Sequence, residues 1–232
     1  MKKVRWFRLK NMPKIDSLAN GMNSNKYDPE GDYGFILDIV RENFIEGRYI
    51  EKLTSTEKVA DPYGNEYTQS RTIYHTCKFV INSTPPELEI LNAANNIQGF
   101  LSALSKAAFF NISVAPIKVD PLLWSNLFQN ESEREYTVES VQIGALKLNE
   151  SVTAKSVVKG KKNVIEACHA LANGKTINYE KVKIKSNNIS QHFIEFTQNG
   201  SVQTSNNTGS DEYNLIKNNL IKGVGLHSLN HD

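Results

Sequence analysis

The residues best suited to chemistry in this sequence are lysines that alternate with apolar residues. In Lys181–Lys185, three lysines are separated by Val182 and Ile184. Successive side chains of a β-strand point to opposite faces, so the valine and isoleucine would face a core and the lysines would line the outer face. The lysines would stand about 6.6 Å apart, close to the spacing of phosphates along a nucleic-acid strand. The pattern predicts a cationic sheet face that binds phosphate backbones.

Basic residues are concentrated in two segments, although the formal net charge of the 232-residue chain is only +2. Residues 1–14 carry six basic and no acidic side chains, and residues 145–185 carry nine lysines against three glutamates. The alternative interpretation is a solvated face whose lysines protect a strand from aggregation. The sequence leaves open whether the two segments meet. The predicted nucleic-acid contacts are Lys155, Lys159, Lys161, Lys162, Lys175, Lys181, Lys183, Lys185, Arg5 and Arg8.

Motifs that would indicate an enzyme are incomplete in this chain. Gly174-Lys175-Thr176 matches the end of a phosphate-binding loop, but His169 stands where that motif requires its first glycine. No aspartate followed by Glu-x-Lys occurs at the strand spacing that a magnesium-dependent nuclease needs. We therefore expect no catalytic residue, no metal and no cofactor. The zinc-ligand types lack the paired spacing of a zinc site: His75, Cys77, Cys168 and His169.

Composition favours a soluble protein of the bacterial cytoplasm. An apolar share of 39% is too high for a disordered chain, and two cysteines are too few for a disulfide scaffold. The chain lacks the run of about 18 apolar residues that a membrane span requires, so we expect no membrane partner. Residues 1–14 lack the apolar stretch of a secretory signal. The abundance of asparagine and lysine is typical of AT-rich bacterial genomes.

Periodicity predicts mostly strands with a few helices. A helix is expected from Pro85 to Ala108, where leucines recur at helical spacing and two prolines mark the start. Asn199-Gly200 is expected to form a two-residue type I′ turn of a hairpin at 190–205. The remaining predicted strands are 3–9, 33–40, 47–54, 70–82, 112–119 and 180–185, and the sequence at 136–158 is β-rich. The remaining predicted helices are 121–128, 161–172 and 211–222, and the loop at 11–32 is expected to hold at most a short helix near Ile15–Ala19.

The order of these elements predicts an α+β fold with mostly antiparallel sheets and about three to four helices. The polar run QNESERE at 129–135 separates two similar-sized halves. We therefore predict an N-terminal α+β subdomain at 1–130 and a lysine-rich C-terminal α+β subdomain at 131–232.

The arrangement resembles the small phage-defence proteins related to the lambda exclusion protein RexA and to KwaB of the Kiwa system. The resemblance lies in the basic strand KKVRWFRL, the strands YGFILDIV and TIYHTCKFVI, the predicted helix PELEILNAANNIQGFLSAL, and the lysine-rich second half that ends in a helix. It covers most of the chain but carries over no site residue. It implies binding of duplex DNA without sequence preference, as a dimer, in a phage-defence or mobile-element context.

The leading hypothesis is therefore a non-enzymatic, sequence-independent nucleic-acid-binding protein, with DNA favoured over RNA. A second hypothesis is an RNA-processing enzyme or nuclease built on ferredoxin-like modules, with His75, His169 or His192 as the general base. A third hypothesis is a non-catalytic adaptor that binds a partner subunit of a defence complex.

Overall fold

A computed structural model describes residues 1–92, 97–147, 150–206 and 208–229. The chain divides into two compact units. One unit combines residues 1–7 with residues 116–232, and we call it the terminal unit. The other unit consists of residues 8–115, and we call it the central unit. The predicted polar boundary at 129–135 lies inside the terminal unit.

The described residues contain eleven strands and five helices. In chain order they are β1 (Lys2–Lys10), α1 (Ile15–Asn23), β2 (Tyr33–Arg41), β3 (Phe44–Ala60), β4 (Glu66–Asn82), β5 (Leu88–Leu91), α2 (Gln98–Ala107), β6 (Ser113–Pro116), α3 (Pro121–Glu131), β7 (Tyr136–Lys147), β8 (Thr153–Lys159), α4 (Ile165–Ala172), β9 (Asn178–Ser186), β10 (Phe193–Thr197), β11 (Ser201–Thr204) and α5 (Ser210–Leu229).

The predicted α+β class with antiparallel sheet is confirmed, because the paired strands with known register all run antiparallel. The predicted number of three to four helices is too low, since five occur in the described residues. The additional helix is α1, nine residues long, whose Leu18 and Met22 are fully buried. None of the described helices is both long enough and apolar enough to cross a membrane.

The central unit is built around the antiparallel strands β2, β3, β4 and β5, hydrogen-bonded in that order. Its core is aromatic: Phe35 and Phe79 meet edge to face at 6.0 Å, and Phe100 of α2 lies 5.1 Å from Phe79. Helix α1 packs against β2 and α2. Burial of these rings stabilises the unit, because large aromatic side chains remove much apolar surface from water.

The single helix predicted from Pro85 to Ala108 is wrong in its first part. Leu88–Leu91 form β5, which pairs with β4, and α2 begins only at Gln98. Leu88 and Ile90 are fully buried, and their backbone pairs with β4. This burial and pairing stabilise a strand more than the local spacing of leucines favours a helix. Residues 93–96 of the predicted helix lie outside the described residues.

The terminal unit contains one antiparallel sheet in the order β1, β11, β10, β9, β7, β8. The N-terminal strand joins it through Val4, which pairs with Val202 of β11. Helix α3 lies against β9 and β10, α5 packs on α3, and α4 contacts β7. Alternating apolar residues supply the covered side of this sheet, and each is at most 3% exposed: Val4, Val138, Val141, Ile143, Val182, Ile184, Ile194, Phe196 and Val202.

The hairpin predicted at 190–205 is confirmed, but its turn is longer than predicted. Thr197 pairs with Ser201, so the loop holds Gln198, Asn199 and Gly200. Gly200 has a φ of +66° and donates its N–H to the Thr197 carbonyl at 3.1 Å. Three-residue loops that end in a left-handed glycine are the next common hairpin type after two-residue turns.

Replacing Gly200 with alanine should destabilise the terminal unit by roughly 2–4 kcal/mol. The new Cβ would lie 2.8 Å from the Cβ of Ile117, and the positive φ adds backbone strain. Gly174 is a matched control, because its φ is +77° but nothing lies within 4 Å of the position that an alanine Cβ would take there. G174A should therefore cost only about 1 kcal/mol. Urea unfolding of both variants measures the difference, and equal losses would contradict it.

Candidate nucleic-acid interface

The sheet of the terminal unit has one side packed with helices and one open, polar side. We call the open side, together with Lys118, the basic face. Residues that pair across neighbouring strands share one side of the sheet. On the open side, Lys183 lies opposite Glu195, and Lys3 lies opposite Gln203. Its cations are Lys3, Arg5, Lys118, Lys147, Lys155, Lys159, Lys181, Lys183 and Lys185. Its carboxylates are Glu139, Glu180 and Glu195. Nine cations against three carboxylates leave a formal excess of six positive charges.

Two adjoining hollows shape the basic face. The first has a volume of about 490 Å³, with four lysines around it and several side-chain amides on its wall. The second has a volume of about 540 Å³ and is lined by three lysines and two glutamates. Glu195 lines both hollows, so they adjoin. The lysines are Lys3, Lys118, Lys155 and Lys181 in the first and Lys159, Lys161 and Lys183 in the second.

Each carboxylate of the basic face forms an ion pair with one lysine. The Nζ–Oε distances are 2.5 Å for Lys155 and Glu180, 3.5 Å for Lys181 and Glu195, and 2.8 Å for Lys183 and Glu139. The hydrogen bond from Lys183 is the main reason that the pKa of Glu139 is lowered. Lys155, followed by Gln142, lowers the pKa of Glu180. Both carboxylates are therefore ionised at neutral pH.

The lysine–glutamate pairs on this face are weak, because exposed ion pairs contribute at most about 1 kcal/mol each. The Lys155 and Lys181 side chains are 60% and 46% exposed in these pairs. An incoming phosphate can therefore compete for the ammonium groups. The glutamates hold the lysines in position and lower the charge of the face at the same time.

Most of the predicted contact residues come together on this face. Lys155, Lys159, Lys181, Lys183, Lys185 and Arg5 belong to it, and Lys161 lines the second hollow. Lys162 and Lys175 are exposed but line neither hollow. Within the terminal unit, the two basic segments therefore meet at Lys3 and Arg5 of β1.

Arg8 does not join the basic face, because it belongs to the central unit. Its Nε donates to a carboxylate oxygen of Glu87 at 2.9 Å, and the backbone N–H of Leu9 donates to the same oxygen at 3.0 Å. Glu87 is buried, so this ion pair satisfies a carboxylate that would otherwise lose its hydration. The role of Arg8 in this arrangement is structural.

Lys3 and Lys118 belong to the basic face but were not among the predicted contacts. Lys3 could have been found from its sequence position, because it shares a strand face with Arg5. Lys118 has no such signal. Its position follows from a long-range contact, in which the Val119 N–H donates to the Gln198 carbonyl at 3.1 Å.

His192, one of the histidines predicted as an alternative general base, lies within a buried hydrogen-bonding network. His192 is fully buried, and its Nδ1 lies 2.8 Å from the Ser205 hydroxyl. Its Nε2 lies 3.0 Å from Glu212 and 3.1 Å from the Tyr136 hydroxyl. Both ring nitrogens are engaged, so neither is available to a substrate.

The remaining candidate ligands and nucleophiles are divided between the two units: His75 and Cys77 lie in the central unit, and Cys168 and His169 lie in the terminal unit. His75 and His169 are exposed, and they lie in different units. Burial raises the pKa of the Cys77 thiol to about 12, which makes it a poor nucleophile. Throughout the described ranges, no group of three or more histidines, cysteines or carboxylates could hold a metal ion.

No protein-family model matches this sequence, and no curated protein matches it. The function is therefore inferred from the charge and the hydrogen-bonding groups of the basic face. Lysine ammonium groups and side-chain amides are donors that bind phosphate oxygens.

Replacing Glu139, Glu180 and Glu195 with glutamine should strengthen the binding of polyanions. Each change removes one negative charge and releases one lysine from its ion pair. The triple variant should elute from heparin-agarose at higher salt than the parent protein. E133Q is the control, because Glu133 lines a hollow outside the basic face. Unchanged elution of the triple variant would contradict this electrostatic account.

Replacing His192 with glutamine should lower the free energy of unfolding by about 2–4 kcal/mol, because Glu212 and Ser205 would lose their buried partner. H169Q is the matched control, because His169 is exposed on α4, and it should change stability by less than about 0.5 kcal/mol. Urea unfolding measures both values. A stable H192Q protein would show that this network does not hold α5 to the sheet.

Proposed function

We propose that this protein binds nucleic acid through the basic face without reading its sequence, and that duplex DNA is its ligand. The observation that carries the proposal is the excess of six positive charges on one open sheet face. Neutralising phosphates releases counterions, which favours binding whatever the sequence. The biological setting proposed is a bacterial phage-defence or mobile-element context, and it rests on the resemblance of the order of elements predicted from the sequence to that of RexA-like and KwaB-like proteins.

The arrangement of donors on the basic face suits a phosphate backbone. Lys181, Lys183 and Lys185 follow one another along β9 at about 6.6 Å, twice the rise of a strand. The first hollow adds the amides of Gln142, Gln198 and Gln203 next to its lysines. Such groups fix the position of a backbone without distinguishing bases.

Single-stranded nucleic acid is a less suitable ligand, because its binding proteins offer aromatic rings on which bases stack. The two phenylalanines of this sheet side are already covered. The Lys183 ammonium lies 4.6 Å from the Phe193 ring centre, and the Arg5 guanidinium lies 4.7 Å from the Phe7 ring centre. Contacts with a duplex backbone need no such rings.

The residue types of the basic face also argue against recognition of a particular base sequence. Arginine is the side chain that most often makes paired hydrogen bonds to guanine, and Arg5 is the arginine of the basic face. Burial lowers the pKa of Arg5, and its Nε is buried without a hydrogen-bond partner. The contact surface is therefore made mainly of lysines, which act as point charges.

Affinity for a DNA duplex of random sequence should fall steeply with salt. If about five phosphates are neutralised, the logarithm of the association constant should change with the logarithm of the salt concentration with a slope of about −4.5. Affinity would then fall roughly 500-fold between about 50 and 200 mM salt. Fluorescence anisotropy with a labelled duplex measures the slope, and a slope near zero would refute the proposal.

The site itself is tested by the variant K181Q/K183Q/K185Q, which removes three charges from β9. The slope should become shallower by about 2.7, and affinity should fall at least tenfold at low salt. The control K52Q/K58Q/K106Q removes three lysines from the central unit and should bind like the parent protein. Equal losses in both variants would assign the binding to overall charge. Tighter binding of single-stranded RNA than of duplex DNA would overturn the choice of ligand.

A further inference from the structure

The two hollows of the basic face differ in the hydrogen-bonding groups that line them. The second hollow offers three lysines, two glutamates and the Ser140 hydroxyl. The first hollow adds four side-chain amides and two hydroxyls to its four lysines, and Val202 is the apolar residue of its described lining. Its volume of about 490 Å³ lies within the range of small-molecule sites, about 300–1,000 Å³. A lining this polar suits a ligand that carries both negative charge and hydrogen-bonding groups.

The two carboxylates of the first hollow differ in how fully they are used. Glu180 accepts hydrogen bonds from Lys155 and from Gln142, each at 2.5 Å. Glu195 has a single long contact with Lys181 at 3.5 Å, beyond the usual hydrogen-bond range of about 2.7–3.2 Å. An ionised carboxylate offers about four acceptor sites. Within the described part of the chain, Glu195 therefore keeps unused acceptor capacity at the wall of the hollow.

Lys118 supplies a cation that no glutamate neutralises. Its side chain is exposed, and within the described ranges it takes part in no ion pair. The residues on either side, Ile117 and Val119, are at most 4% exposed, so the segment is anchored and Lys118 points outward. Four lysines against two glutamates leave an excess of two positive charges in the first hollow. A ligand with several negative charges therefore gains most there.

A DNA backbone uses only part of this lining. Phosphate and deoxyribose oxygens within a duplex accept hydrogen bonds and donate none, so they cannot satisfy the Glu195 carboxylate. Ribose hydroxyls do donate, and in nucleotide sites a carboxylate commonly accepts from a ribose 2′-hydroxyl. A ligand that combines several phosphate charges with a free ribose therefore matches both Lys118 and Glu195.

We propose that the first hollow binds a free ribonucleoside triphosphate, with its phosphates on Lys118 and Lys181 and its ribose hydroxyls on Glu195. The inference rests on the proposed function, because the hollow is part of the basic face. A bound triphosphate occupies lysines that DNA phosphates need and adds its own negative charge. Binding of duplex DNA therefore falls as the nucleotide concentration rises, and the hollow regulates the basic face.

Calorimetry with ATP and with 2′,3′-dideoxy-ATP tests the ribose contact, because the two ligands carry the same charge and the same base. In magnesium-free buffer, ATP should bind at least about tenfold more tightly, since hydrogen bonds to a charged acceptor are the strong kind. Glu195→Ala should bind both nucleotides alike. Glu139→Ala is the matched control, because it removes a carboxylate that lines only the second hollow, and it should keep the tenfold preference.

Both glutamate variants should fold, because the Glu195 and Glu139 side chains lie at the surface, 28% and 33% exposed. Circular dichroism verifies this. Equal binding of the two nucleotides by the parent protein, or a preference for ATP that survives in Glu195→Ala, would overturn the proposal.

The phosphate contact is tested by Lys118→Gln, which should weaken ATP binding at least about fivefold. Lys159→Gln is its control, because Lys159 lines only the second hollow. That variant should bind ATP like the parent protein. Equal losses in the two variants would assign the effect to overall charge and would contradict a site in the first hollow.

Competition is measured by fluorescence anisotropy of a labelled duplex at constant ionic strength. ATP should displace the duplex, and dideoxy-ATP at the same concentration should displace less. Because the calorimetry contains no DNA, the two proposals fail separately. A protein that binds the duplex but not ATP would sink the nucleotide site and leave the proposed function. A protein that binds ATP but not the duplex would sink the proposed function and leave the nucleotide site.

Discussion

The terminal unit depends on the indole ring of Trp124, where four elements meet. The ring lies 6.0 Å from the Trp6 ring of β1 and 4.9 Å from the Phe196 ring of β10. Its N–H donates to the Ile216 carbonyl of α5 at 3.0 Å. Trp124 itself is on α3 and has no exposed surface. Because Trp6 packs inward here, its neighbour Arg5 must point to the other side of the sheet. The composition of the basic face thus follows from the packing of the core.

The basic face combines opposing requirements. A sheet side with nine cations and no anions would be destabilised by repulsion between them. Three glutamates reduce that repulsion and fix the positions of three lysine side chains. The accompanying loss of affinity for a polyanion is modest. A surface of this kind favours binding that is rapid, salt-sensitive and reversible, because its contacts are exposed and individually weak.

The sequence could predict the parts of this structure that depend on local alternation. Lys181–Lys185 lies on a strand with its lysines outward, as its pattern indicates, and the hairpin around Gly200 is at the predicted place. The local sequence pattern gave a wrong prediction where pairing with a strand elsewhere in the chain decides the conformation. Leu88–Leu91 fits a helix locally, but the β4 edge draws it into a strand.

The candidate site shows the same limit. That the β9 lysines share a face follows from a two-residue period. The inclusion of Lys118 depends on a turn about eighty residues away, at Gln198. The exclusion of Arg8 depends on Glu87, a buried carboxylate that composition and spacing do not reveal. The ion pairs on the basic face could not be predicted from the sequence either. Glu195 lies next to Lys181 only because β10 pairs with β9.

The place of β1 in the sheet has a consequence for how the chain reaches its native state. Lys2 to Arg5 pair with Ser201 to Thr204, so this strand segment must wait for partners that are synthesised roughly 200 residues later. Contacts of such large sequence separation slow folding. Until β11 emerges from the ribosome, residues 2–5 lack this partner strand, and an unpaired strand edge promotes aggregation and attracts chaperones.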